Sequence, residues 1–118
     1  MKTNTPNVLS AKTVTGDSVV NRAGEKLGRI EDVMLDMNDD RIAYAVLSFG
    51  GFLGVGDKLF AVPWGALDLD APNKRFVLDV QKEKLENAPG FDKNDWPDMA
   101  DRVFSARVYD YYGTPHYW

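Results

Sequence analysis

The stretch Arg41-Ile-Ala-Tyr-Ala-Val-Leu-Ser-Phe-Gly-Gly-Phe-Leu-Gly-Val-Gly-Asp-Lys-Leu-Phe-Ala-Val-Pro-Trp64 consists of two apolar runs joined by a glycine-dense loop. Residues 42–49 are rich in β-branched and aromatic side chains and turn apolar on both faces toward their end, which predicts a central strand. Residues 58–62 predict the next strand, which Pro63 must end or confine to an edge, because proline has no N–H to give a ladder. A glycine loop between apolar segments can also be a phosphate cradle. Here Asp57 occupies the place of the phosphate-loop lysine, and a strand follows instead of the helix whose N-terminal amides would face the anion. Glycines 50, 51, 54 and 56 are therefore expected to reverse the chain sharply. That places Phe52, Leu53 and Val55 at an apolar tip, a contact site.

Toward the N-terminus, Met37-Asn-Asp-Asp40 reads as a turn and residues 26–36 as a long strand. Leu27, Ile30, Val33 and Leu35 punctuate its charges without clean alternation, and Gly28 suggests a bulge or a close backbone approach. Asn21-Arg-Ala-Gly24 supplies a hairpin turn to a short strand at residues 18–20. Residues 1–16 read as a flexible arm, with an edge strand near Lys12. Toward the C-terminus, Leu67-Asp-Leu-Asp70 alternates and residues 75–80 predict the last strand. About six short strands at close spacing indicate a mainly β fold, a small antiparallel β-barrel with its core at residues 17–80.

The character changes over residues 81–118. Lys82-Glu-Lys-Leu-Glu-Asn-Ala88 predicts a short helix ended by Pro89-Gly90. Asp95 and Pro97 predict the start of a C-terminal helix, with Trp96, Met99, Val103 and Arg107 on one face and Phe104, Val108 and Tyr111 beside it. Such a stripe must cover something apolar, and a barrel mouth is the expected surface. An aromatic tail follows, ending in His116, Tyr117 and Trp118.

Composition narrows the function. A formal charge of −4 with no basic block argues against nucleic acid and against anionic membrane surfaces. No cysteine is present, so a thiolate site and a disulfide are both ruled out. No apolar run is long enough to span a membrane and no signal peptide opens the sequence, so a cytoplasmic location is expected. Asp36, Asn38 and Asp40 match the start of a calcium loop, but Arg41 and Leu47 stand where glycine and glutamate belong, so these residues read as a turn. His116 has no second histidine or cysteine to share a metal with, and no serine sits in a nucleophile elbow. No catalytic residue, metal ligand or cofactor site is expected.

The blocks Val20-Asn-Arg-Ala-Gly-Glu-Lys-Leu-Gly-Arg-Ile-Glu-Asp-Val33, Arg41-Ile-Ala-Tyr-Ala-Val-Leu-Ser-Phe49 and Leu59-Phe-Ala-Val-Pro-Trp64, in that order, resemble a PRC-barrel domain. The resemblance implies a small β-barrel. The family includes the cytoplasmic domain of the photosynthetic reaction-centre H subunit and the C-terminal domain of a ribosome maturation factor. Without a membrane helix or a preceding barrel, this sequence is expected to be like the stand-alone bacterial and archaeal members, whose implied role is protein contact within assemblies.

The expectation is a non-catalytic protein–protein interaction module that forms a homodimer and has a further protein partner of unknown identity. Its contact residues would be Phe52, Leu53 and Val55 at the loop, and Tyr109, Tyr111, Tyr112, Tyr117 and Trp118 in the tail, which either joins a second subunit or folds back over its own barrel. The alternative is a small-ligand or metal-ion sensor with a pocket between barrel and C-terminal helix, lined by Trp64, Trp96 and nearby carboxylates.

Overall fold

The computed structural model describes residues 7–50 and 57–118. The tip residues Phe52, Leu53 and Val55, with glycines 51, 54 and 56 of the corner, lie outside them. The elements in chain order are α1 (Ala11–Val14), β1 (Ser18–Val20), β2 (Lys26–Asp36), β3 (Arg41–Gly50), β4 (Asp57–Pro63), β5 (Leu67–Asp70), β6 (Arg75–Leu78), α2 (Lys82–Glu86), β7 (Gly90–Asp92) and α3 (Arg102–Tyr111). The strands form one seven-stranded sheet in the order β5-β6-β1-β2-β3-β4-β7. All six predicted strands are present, and β7 adds a seventh beside β4. Pairing is antiparallel except between β1 and β6, which run parallel. β2 occupies the middle of the order, and β3 lies between it and β4.

Local chemistry sets the hairpins. Buried Asn21 organises the β1–β2 turn: its side-chain oxygen accepts from the backbone N–H groups of Ala23 and Glu25, at 3.1 and 2.9 Å, and its amide donates to Glu25 Oε1. A Cβ on Gly28 would stand 2.2 Å from the carbonyl oxygen of Ser48, and its φ is +145°, so only glycine lets β2 approach β3 this closely. The register of β2 shifts against β3 between Ile30 and Asp32 and again between Met34 and Leu35. Those bulges bend the long strand and account for its broken alternation. Pro63 is the last residue of β4, where its missing N–H costs no ladder bond.

One strand expectation and one helix expectation are corrected. Around Lys12 the chain forms α1 and not an edge strand, because the Ser10 hydroxyl caps it by accepting from Thr13 N–H at 3.0 Å, and Val14 enters the core. The C-terminal helix starts at Arg102 instead of near Asp95. The Asp98 side chain accepts from Ala100 N–H and holds the backbone in a turn, and the helix begins only where Asp101 Oδ1 caps Val103 N–H.

The main core gathers Val19, Leu27, Ile30, Ala45, Leu47, Phe60, Val62, Leu67, Phe76 and Leu78 from six strands, with Val14 of α1, Leu85 of α2 and Ala88 just after it. Leu85 is fully buried, which stabilises the docking of α2 by about 1.5–3 kcal/mol. A second, smaller cluster holds Tyr44 of β3, Ala61 of β4, and Val108 and Tyr109 of α3. Thus α3 covers the other face of β3 and β4 and not a barrel mouth, so this pair of strands is buried on both sides.

Candidate contact surface

The face that α3 covers is held by buried polar bonds between rings. Tyr44 and Ser105 are each only 1% exposed. The Tyr44 hydroxyl donates to Ser105 Oγ, which donates in turn to the Asp101 carbonyl at 3.2 Å. Burial pushes the Tyr44 hydroxyl above its ordinary pKa. Its ring packs against Phe104 and Tyr109, with centroids 6.0 and 5.9 Å away, in the tilted and edge-on arrangements that ring quadrupoles favour. The Tyr109 hydroxyl donates to the Ala43 carbonyl at 2.6 Å, and burial raises its pKa as well. Ser105 is therefore a structural hydroxyl between helix and sheet.

The tail turns back over this helix. Tyr117 donates to Asp36 at the end of β2, and the Arg41 guanidinium lies 3.9 Å above the Tyr117 ring. Arg102 sits 4.8 Å from the Trp118 ring and 3.7 Å from the Asp36 carboxylate. His116 stacks on Trp118 at 4.5 Å, while its Nε2 lies 2.9 Å from Asp110. The Tyr117 hydrogen bond, backed by Asn38 and Asp39 N–H and by Arg102, holds the Asp36 carboxyl below the ordinary range against the opposing effect of its partial burial. Burial, then the bond to that carboxylate, pushes the Tyr117 hydroxyl up to about 12.

The sequence-predicted contact residues thus fall into three groups. Tyr109 is buried, Tyr111, Tyr112 and Tyr117 are half-buried, and Trp118 keeps 38% of its surface exposed. Tyr111 donates to the Lys84 carbonyl and so ties α3 to α2. The Tyr112 hydroxyl is buried with no hydrogen-bond partner among the described residues. Phe52, Leu53 and Val55 are outside those residues. Composition and spacing read Asp36 only as part of a turn and gave no contact role to Arg41, Arg102 or Asp110. Asp110 meets His116 six residues on and Arg102 meets Trp118 from the far end of the same helix, but Asp36 meets Tyr117 across 81 residues, and no local pattern carries that.

The two tryptophans expected to share a pocket have different described neighbours. Trp64 packs on Phe76 at the main core, 5.7 Å between centroids. Trp96 instead lines a cleft of about 220 Å³ with Phe91, Phe104, Pro89, Pro97, Asp95 and Arg107. Its indole N–H is spent on the Lys93 carbonyl at 2.8 Å. No three potential metal-ligating side chains come together among the described residues. No helix among them is long and apolar enough to cross a membrane.

No curated protein matches the chain. The family model described as PRC-barrel domain matches residues 6–85, from the N-terminal arm through β1 to β6 and into α2, and leaves β7, α3 and the tail beyond it. On that match and on the mainly β sheet that carries it, the chain belongs to the PRC-barrel domain family.

Proposed function

We propose that this chain is a non-catalytic, cytoplasmic contact module of the PRC-barrel type that associates with itself and with a protein partner through the apolar loop tip and the aromatic tail. The observation that supports it best is the layer of rings on α3 and the tail, which ends in Trp118 with a guanidinium over one face and a third of its surface still open. Tyr, Trp and Arg are the side chains that interface cores favour, and here they are gathered at one rim. Val103, on α3, is a further large apolar side chain left 78% exposed. The test is light scattering across a concentration series, together with a pull-down from native extract using wild type and the Phe52→Ser, Leu53→Ser chain. The reading expects a mass rising toward twice 13.2 kDa and a partner lost from the double variant. A mass fixed at one copy with identical recovery by both chains would refute it.

A second reading has one observation in its favour, the Trp96 cleft. An aromatic floor with one carboxylate and one guanidinium at its edge is the general form of a small-ligand site. Thermal-shift screening against metal ions, nucleotides and metabolites tests it. A melting point that nothing moves removes it.

A further inference from the structure

Residues 113–118 are seated by contacts that the same segment of another copy could make equally well. Gly113, at φ +66°, turns the chain after α3: its N–H donates to the Asp110 carbonyl at 3.1 Å and the next N–H, of Thr114, to the Tyr109 carbonyl at 3.0 Å. This is a glycine C-cap, and the turn depends on the left-handed conformation that glycine alone adopts freely. No atom lies within 4 Å of a Cβ placed there, so nothing described packs against the hinge. Beyond it, the tail is held by polar and cation–ring contacts at the surface: Tyr117 on Asp36 and under Arg41, Trp118 under Arg102, and His116 on Asp110. The receiving groove is built by β2, β3 and α3, with the Tyr109 ring as its floor, 5.8 Å from Tyr117 and 5.0 Å from Trp118.

We propose that residues 113–118 are an exchangeable strap, and that the groove between Asp36, Arg41, Arg102 and Tyr109 takes the strap of a second copy of this chain. The partner's chemistry is that of the occupant already seated: a tyrosine hydroxyl for the Asp36 carboxylate and two rings for two guanidinium groups. Straightening the chain at Gly113 is the one backbone change required, and exchange in both directions closes a two-fold dimer with no contact left open. The proposal rests on the self-association reading and specifies the surface that would carry it.

Sedimentation or light scattering of three full-length chains tests it: wild type, Gly113→Val, and Tyr117→Ser with Trp118→Ser. Valine is disfavoured at φ +66°, so the turn back onto its own groove weakens and the dimer dissociation constant should fall about tenfold. Removing both rings takes contacts from the closed monomer and the dimer alike, so the constant of that variant should lie at least tenfold above that of Gly113→Val. Should the ring variant lose its fold by circular dichroism, Arg41→Gln with Arg102→Gln replaces it, with weaker dimerisation again expected. Equal dimerisation by all chains overturns the exchange but leaves self-association through another surface intact. A single copy at every concentration for both wild type and Gly113→Val overturns both.

Discussion

Replacing Ser105 with alanine should destabilise the protein by about 1–3 kcal/mol, even though it removes a single oxygen. Tyr44 is 1% exposed and its ring is pinned by Phe104 and Tyr109, so its hydroxyl stays where it is and loses its acceptor in a place water does not reach. Tyr44→Phe should cost only about 0.5–1.5 kcal/mol, because Ser105 Oγ keeps its bond to the Asp101 carbonyl. The double variant leaves an apolar site with no orphaned group, and its cost should fall below the sum of the two by about 1–2 kcal/mol. For a chain of this size, each kcal/mol moves the melting temperature by roughly 3–6 °C, so urea and thermal unfolding followed by circular dichroism resolve the cycle. Additivity within about 0.5 kcal/mol would show that the two hydroxyls are not coupled, and would refute the account of how α3 is held to β3.

Three other outcomes follow from the geometry. Gly28→Ala should cost about 3 kcal/mol or more or abolish folding, since its Cβ would overlap the Ser48 carbonyl; a soluble variant with wild-type stability refutes the close approach. Tyr112→Phe should leave stability unchanged or raise it by up to about 1 kcal/mol, because its buried hydroxyl has no partner among the described residues; a loss of 1 kcal/mol or more in urea melts contradicts that. The Asp36–Tyr117 bond should respond to pH at both ends. Asp36 has a lowered folded-state pKa, so its contribution is complete above the ordinary aspartate value and fades as pH falls through the folded value. Tyr117 has a raised one, so its contribution is complete below 10 and fades as pH climbs to about 12. Melting curves of Asp36→Asn and Tyr117→Phe should be flatter than wild type in those respective windows, and unchanged slopes would speak against the bond.

Much of the sheet was legible in the sequence because strand formation here is local: alternation, the Asn21 turn, Gly28 and Pro63 each act on neighbours within a few residues. Residues 42–49 also hinted at the second layer. They read as apolar on both faces, and a strand with two apolar faces needs two covers; α3 is the second one. What supplied the cover, and where it began, was harder to read. Asp95 and Pro97 look like a helix start, yet Asp98 binds its own backbone and delays the helix to Asp101. The seat of the tail was not legible at all. Arg41, Asp36 and Tyr117 become neighbours only after the sheet and α3 have formed, and the pattern around each one looks like ordinary surface. The packing of Trp64 was hidden for a related reason: a half-buried tryptophan after a strand has the same local signature whatever ring it meets, and here that ring is Phe76.

The burial of β3 and β4 on both faces also has a consequence during synthesis. About fifty residues separate the end of β3 from the start of α3, so a ribosome adding roughly 5–20 residues per second needs several seconds to supply the second cover. Through that interval Tyr44 and Ala61 lie bare on a sheet whose other side can already close. A nascent chain stalled before residue 102 would display a sticky, half-finished sheet, and holdase chaperones should recognise it there and release it once Val108 and Tyr109 have emerged.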